Sequence, residues 1–202
     1  PLLISELKIE QLISIEEHIN EFGTSDAGID DGASIGFLPP LSFSDDKIYW
    51  KNVLNPEVLL FVAKINHQIA GTVQLHLCTK QNGSDRAEIA KLMTHAKYRR
   101  NGIGRLLMNK AKKVGRSLLV LETKEGNPSN LLYSSIGYIQ AGKIPYYAKS
   151  ANGELHSTFY YKAKTLDYQS KKFEFSTKGY FLHYILYEHF AYFLTQDHKD
   201  FK

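Results

Sequence analysis

A chain of 202 residues, 43% hydrophobic and 23% charged, has the ordinary balance of a globular protein, with room for one domain or a domain plus an appendage. Its single cysteine, Cys78, excludes an internal disulfide and a cysteine metal cluster, which fits a reducing, cytoplasmic compartment. The net charge of +4 is modest but unevenly placed: no acid occurs from Ile89 to Leu121, while Lys91, Lys97, Arg99, Arg100, Arg105, Lys110, Lys112, Lys113 and Arg116 are all basic. Such a stretch is either a solvated helix face or an attractor for an anion.

Pro1-Leu2-Leu3-Ile4 is soon followed by Glu6, Lys8 and Glu10, so no signal-peptide core is expected. Ile9 to Phe22 carries Ile9, Leu12, Ile13, Ile15, Ile19 and Phe22 and reads as an amphipathic helix. Gly23 to Leu41 reads as a long loop, and Ser44 as the cap of a short helix through Leu54. Val58 to Ile65, Ile69 to Cys78 and Ala87 to Thr94 form an expected antiparallel meander. Ile103, Leu106, Leu107, Ala111 and Val114 share one face of a helix that Gly115 stops. Ser117 to Thr123 is a short strand, and Pro128 to Ser135 a second helix. Tyr138 to Gly142 and Thr158 to Lys162 are a final strand pair, with a loop from Ser150 to Gly153. The class is α+β.

Arg99-Arg100-Asn101-Gly102-Ile103-Gly104 lies between a strand and a helix start. The first N–H groups of a helix lack intrahelical partners and carry partial positive charge, and glycine lets a phosphate approach them. A phosphate-bearing cofactor is therefore expected. Further on, Glu122 ends a strand and Tyr133 lies within the next helix. A carboxylate can take a proton from an attacking amine, and a tyrosine hydroxyl can give one to a leaving thiolate. The plainer readings are a helix-capping carboxylate and a buried tyrosine that only satisfies its hydroxyl. Cys78 reads as an apolar strand end with nothing nearby to lower its pKa, hence not an acyl carrier.

The chain resembles the GNAT superfamily of N-acetyltransferases. Arg99-Arg100-Asn101-Gly102-Ile103-Gly104 matches that family's Arg/Gln-x-x-Gly-x-Gly/Ala motif, and Leu132-Tyr133-Ser134-Ser135-Ile136-Gly137-Tyr138 matches its Leu-Tyr-x-x-x-Gly-Phe/Tyr segment. Within the superfamily, Gly32 to Lys164 is similar to the tabtoxin resistance enzymes, which acetylate a β-lactam toxin. The shared segments include Gly71-Thr72-Val73-Gln74-Leu75, Leu121-Glu122-Thr123 and Asn152-Gly153-Glu154-Leu155-His156.

The resemblance implies an α/β/α-layered GNAT fold over residues 1–165, with a mixed, mostly antiparallel sheet; residues 166–202 lie outside the resemblance and read, from their composition, as an aromatic-rich, helical extension. It implies acetyl-CoA as co-substrate and no metal. The pyrophosphate would lie on the backbone of Arg99, Arg100, Asn101, Gly102, Ile103, Gly104 and Arg105. The pantetheine would pair with Leu92, Met93 and Thr94, and the oxyanion would form near Met93. Tyr133 takes the place of the family's acid. Glu122 stands where the toxin-modifying relatives have an aspartate, a candidate base. The family's asparagine maps to Asn127 or Asn130, of which Asn127 precedes the helix.

The implied reaction is direct acetyl transfer to the amine of a small molecule, as in enzymes of the toxin- or antibiotic-resistance type. Alternatives are a CoA-binding regulatory module without catalysis, a protein or peptide N-acetyltransferase, or a nucleic-acid binder using the basic stretch. No nucleic-acid readout motif accompanies that stretch. The acceptor is expected between the Gly23 to Leu41 loop and the Tyr138 to Tyr161 region. Gly32-Ala33-Ser34-Ile35-Gly36-Phe37, Tyr146, Tyr147 and His156 are candidate pocket walls, and Asp30, Asp31 and Glu154 candidate attractors of a cationic amine. Gly179 to Leu194 is apolar round most of a helix, too short for a membrane span, and suited to packing on the body or to homodimer formation.

Overall fold

The computed structural model describes residues 7–12 and 43–165, which belong to one compact unit. The expected loop Gly23 to Leu41, the acceptor candidates within it and the extension 166–202 lie outside the described residues.

Seven strands form one sheet: β1 (Leu7–Leu12), β2 (Val58–Ile65), β3 (Gln68–Leu77), β4 (Arg86–Thr94), β5 (Leu118–Lys124), β6 (Ile139–Lys149) and β7 (Leu155–Lys164). Their order is β1-β2-β3-β4-β5-β7-β6. Three helices accompany them: α1 (Phe43–Asn52), α2 (Ile103–Lys112) and α3 (Ser129–Ser135). All neighbouring strands run antiparallel except β4 and β5. Asn66 and His67 both have positive φ, 51° and 65°, the two-residue turn that matches the twist of a tight hairpin between β2 and β3.

Alternation along β2 divides the core. Phe61 and Ala63 join α2 residues Ile103, Leu107, Met108 and Ala111, whereas Leu60 and Val62 join Trp50 and Val53 on and just after α1. Successive strand side chains point to opposite faces, so α1 and α2 cover opposite faces of the sheet. This is the expected layered GNAT fold. Burying each of these aliphatic or aromatic side chains contributes roughly 1.5–3 kcal/mol.

Three expectations change. Leu7–Leu12 is a strand, not the start of an amphipathic helix. Leu7-Lys8-Ile9-Glu10 also alternates with period two, and pairing with β2 satisfies the backbone while Leu12 reaches the α1 core. The rest of the expected helix lies outside the described residues. The final strand extends well beyond Gly142, through Pro145, to Lys149. Proline is tolerated there because β6 is an edge strand and its register is broken between Ile144 and Ala148. Ser44 lies inside α1, which begins at Phe43, rather than at its cap.

Candidate active site

The sheet splits at its centre. β4 and β5 pair only at Arg86↔Leu118, Ala87↔Leu119 and Glu88↔Val120, and from Ile89 onward β4 has no register partner on β5. The β3–β4 register also slips between Thr72 and Gln74, where Lys91 takes φ 51°. A bulge of this kind bends a strand and re-aims its side chains. The result is a slit lined by Ile89, Ala90, Lys91, Leu92, Glu122, Thr123, Asn127, Ser129 and Tyr133, with a volume of about 70 Å³.

The slit passes through the sheet. Thr123 belongs to the α3 side, where its Oγ1 lies 3.2 Å from Ser129 Oγ. Glu122, one residue earlier, belongs to the opposite side, exposed and paired in register with Tyr160.

On the α3 side, Tyr133 is 6% exposed and lines the slit with Ser129. Burial pushes its pKa above the usual tyrosine range, the Ser129 hydroxyl opposes this, and neighbouring Tyr161 adds to the rise. Its hydroxyl therefore keeps its proton through neutral pH, as an acid must. Asn127 lines the slit and its Oδ1 accepts from Ser129 N at 2.9 Å. Asn130 is used internally: Nδ2 donates to Lys124 O (3.0 Å) and Asn127 O (2.8 Å), and Oδ1 accepts from Tyr161 Oη (3.0 Å).

Along β4, Leu92 lines the slit, while Met93 is buried in the α1-side core and Thr94 pairs with Gly71. The basic turn follows. Arg100 and Gly102 take φ 66° and 78°, which aligns the chain for the first turn of α2. Nothing would obstruct a Cβ at Gly102, so its requirement is the left-handed backbone itself; a Cβ at Gly104 would sit 3.1 Å from Leu132 Cδ2, so that requirement is space. Leu106 N bonds back to Gly102 O at 3.1 Å, the first intrahelical bond of α2. The N–H groups of Ile103, Gly104 and Arg105 precede it and lie at the positive end of the helix. Asn101 Nδ2 ties the turn to Tyr98 O and Arg99 O, both at 3.1 Å. Arg105 reaches Ser135 Oγ at 2.9 Å, linking α2 to α3.

On the other face, Glu122, Lys91 and Glu88 interact electrostatically. Burial lowers the Lys91 pKa, with Glu88 and Glu122 resisting. Gln74, fully buried, holds Tyr49 Oη at 2.8 Å and His76 Nε2 at 3.1 Å. Desolvation likewise lowers the His76 pKa. Tyr147 and Tyr160 stack edge to face with centroids 5.8 Å apart. His156 lies 3.8 Å from Glu154 near the β6–β7 tip.

Lys91, Thr123 and Ser129 line the slit but were not legible as such in the sequence, since only the split sheet brings β4, β5 and α3 together. One part of the Cys78 reading changes: a group that lowers its pKa is present, since Arg86 Nη2 donates to its sulfur at 3.5 Å and pulls the thiol pKa down. Among the described residues, no His/Cys/Asp/Glu group could hold a metal ion, and no helix is long and apolar enough to cross a membrane.

The slit lies where β4 and β5 part, and β4 leads into the Arg99–Gly104 turn at the start of α2. Residues 29–138 match the Acetyltransferase (GNAT) family, and the chain belongs to it. Enzymes of this family use acetyl-CoA as co-substrate. Solved structures share the fold. One is an acetyltransferase of the GNAT family from Streptococcus pneumoniae, at 17% identity and TM-score 0.60, covering 79% of this chain and 99% of that one. A putative phosphinothricin N-acetyltransferase has 17% identity and TM-score 0.66, covering 80% and 100%. The ribosomal-protein-S18-alanine N-acetyltransferase from Escherichia coli has 19% identity and TM-score 0.59, covering 79% and 94%.

Proposed function

We propose that the protein transfers the acetyl group of acetyl-CoA to the amine of a small molecule by direct attack. The observation that carries this reading is the slit, which has a buried, protonated tyrosine on one side and an exposed carboxylate on the other. The α2 N-terminus and its turn offer unpaired N–H groups to a pyrophosphate. The uncovered edge of β4 offers strand-type hydrogen bonds to the amides of the pantetheine arm. Glu122, directly or through water, takes the proton of the attacking amine; Tyr133 gives one to the leaving thiolate. Holding the two reactants in one slit supplies much of the rate by proximity.

The likeness to the tabtoxin resistance enzymes and to a putative phosphinothricin N-acetyltransferase supports a small acceptor. The Escherichia coli neighbour that acts on a ribosomal protein keeps a peptide acceptor as the second reading. Calorimetric titration with acetyl-CoA, then thiol release with a panel of small amines and peptides bearing free N-termini, tests both. Micromolar binding and turnover with a small amine are expected. Binding without turnover on any acceptor would favour a regulatory module. In Tyr133→Phe, kcat falls about tenfold or more with the acetyl-CoA Kd unchanged, and a kcat within twofold of the parent removes Tyr133 from the mechanism.

A further inference from the structure

The way α3 ends involves Tyr133 directly. Gly137, at φ 85°, turns the chain out of the helix; Tyr138 N donates to Tyr133 O at 3.0 Å, and Gly137 N to Ser134 O at 3.2 Å. This pair of bonds is a Schellman closure, which folds the side chain after the left-handed residue back onto the last turn. That side chain is Tyr138, whose ring centroid lies 6.1 Å from that of Tyr133. Tyr133 packs against a second ring, Tyr161, at 5.6 Å.

The two neighbouring rings are held differently. Tyr161 Oη donates to Asn130 Oδ1 at 3.0 Å, whereas the Tyr138 hydroxyl has no hydrogen-bond partner. A cation meets the Tyr138 ring instead. Lys112, in the basic stretch and the last residue of α2, places its Nζ 4.9 Å from the Tyr138 ring centroid and donates to Ile136 O. Ile136 is the cap residue of α3. Carbonyls at a helix end lack intrahelical partners, and the macrodipole draws a cation there. Lys112 is half-buried, and a cation over an aromatic face is held more strongly as it loses water. One side chain thus grips both the end of α3 and the ring packed on Tyr133. α3 has only 7 residues, too few to hold its geometry unaided, so contacts from outside must fix it.

We infer that Lys112 is a positioning residue: by holding the Ile136 carbonyl and the Tyr138 ring, it fixes the last turn of α3 and with it the Tyr133 hydroxyl in the slit. The inference rests on the proposed role of Tyr133 as acid.

Two measurements test it, with Lys112→Met keeping the apolar stem while removing the charge and the donor. In protein carrying 13C at the tyrosine Cζ, the Tyr133 signal is identified by its loss in Tyr133→Phe. Lys112→Met should shift or broaden that signal. A Tyr133 signal left unmoved overturns the proposal, whether or not an acceptor is in hand. The second measurement is turnover with ethanolamine as the probe amine. Lys112→Met should lower kcat about tenfold with the acetyl-CoA Kd unchanged, a loss within what a small misplacement of a reacting group costs. Lys112→Arg, which keeps a cation and a donor, should recover most of it. In the Tyr133→Phe background Lys112→Met should have no further effect. Equal losses in both backgrounds, or a loss that appears in the acetyl-CoA Kd, would show that Lys112 acts apart from Tyr133 and would overturn the proposal alone. Full kcat in Tyr133→Phe itself would instead remove Tyr133 as acid, and the proposal with it.

Discussion

At the scale of single residues, burial decides protonation. Tyr133 and Tyr138 lie within one aromatic cluster, with ring centroids 6.1 Å apart, and both have their pKa raised, chiefly by desolvation. The buried Tyr138 hydroxyl has no hydrogen-bond partner. A buried unsatisfied hydroxyl costs about 1–3 kcal/mol. Tyr138→Phe should therefore match or exceed the parent in stability by denaturant titration; a loss above about 1 kcal/mol would show that the hydroxyl is satisfied.

The same variant carries a pH signature. The folded-state pKa of Tyr138 lies above the ordinary 10.0, so the fold favours the neutral phenol. That contribution is complete below pH 10.0 and is lost as pH rises beyond it. Tyr138→Phe should flatten the alkaline fall in melting temperature relative to the parent. Identical alkaline slopes would contradict the assignment.

At the scale of elements, α2 and α3 join beside the turn proposed to hold the cofactor. Gly104 faces Leu132, and Arg105 reaches Ser135. Leu132 is the flexible end of a side chain, so Gly104→Ala should be absorbed. Gly104→Val should push the helices apart and weaken acetyl-CoA binding about tenfold by calorimetry, since overpacking of this kind costs about 1–3 kcal/mol. An unchanged Kd would move the pyrophosphate away from this turn. Asn130 plays the matching part between β5 and α3. Asn130→Ala strips hydrogen bonds from Lys124 O, Asn127 O and Tyr161 Oη and should lower stability by about 2 kcal/mol in chemical unfolding. A change below about 0.5 kcal/mol would show that these bonds are replaced by water.

At the scale of the molecule, the slit between β4 and β5 is lined from three elements, β4, β5 and α3, a property of no single one. The aromatic stretch Gly179 to Leu194 enters as a proposal about association. A chain ending at Asp167 should keep acetyl-CoA affinity within twofold, while light scattering reports a smaller oligomer than the full chain. Equal oligomeric states would remove the association role.

What was legible in the sequence was local. Val58 to Ile65 reads as a strand because an aliphatic run has one good solution. Arg99 to Gly104 reads as an anion turn because backbone N–H groups at a helix start act through their own neighbours. Tyr133 and Glu122 stood out in the sequence as groups able to give and take a proton, and both line the slit. Leu7 to Leu12 was not, because its spacing serves helix and strand alike, and only a partner strand satisfies it as an edge. Nor was Tyr160 legible, since its partner Glu122 lies 38 positions away and meets it only through the β5–β7 register. The chemical groups are properties of the chain; their meeting in one slit is a property of where β4 and β5 stop pairing, and long-range strand register alone decides that.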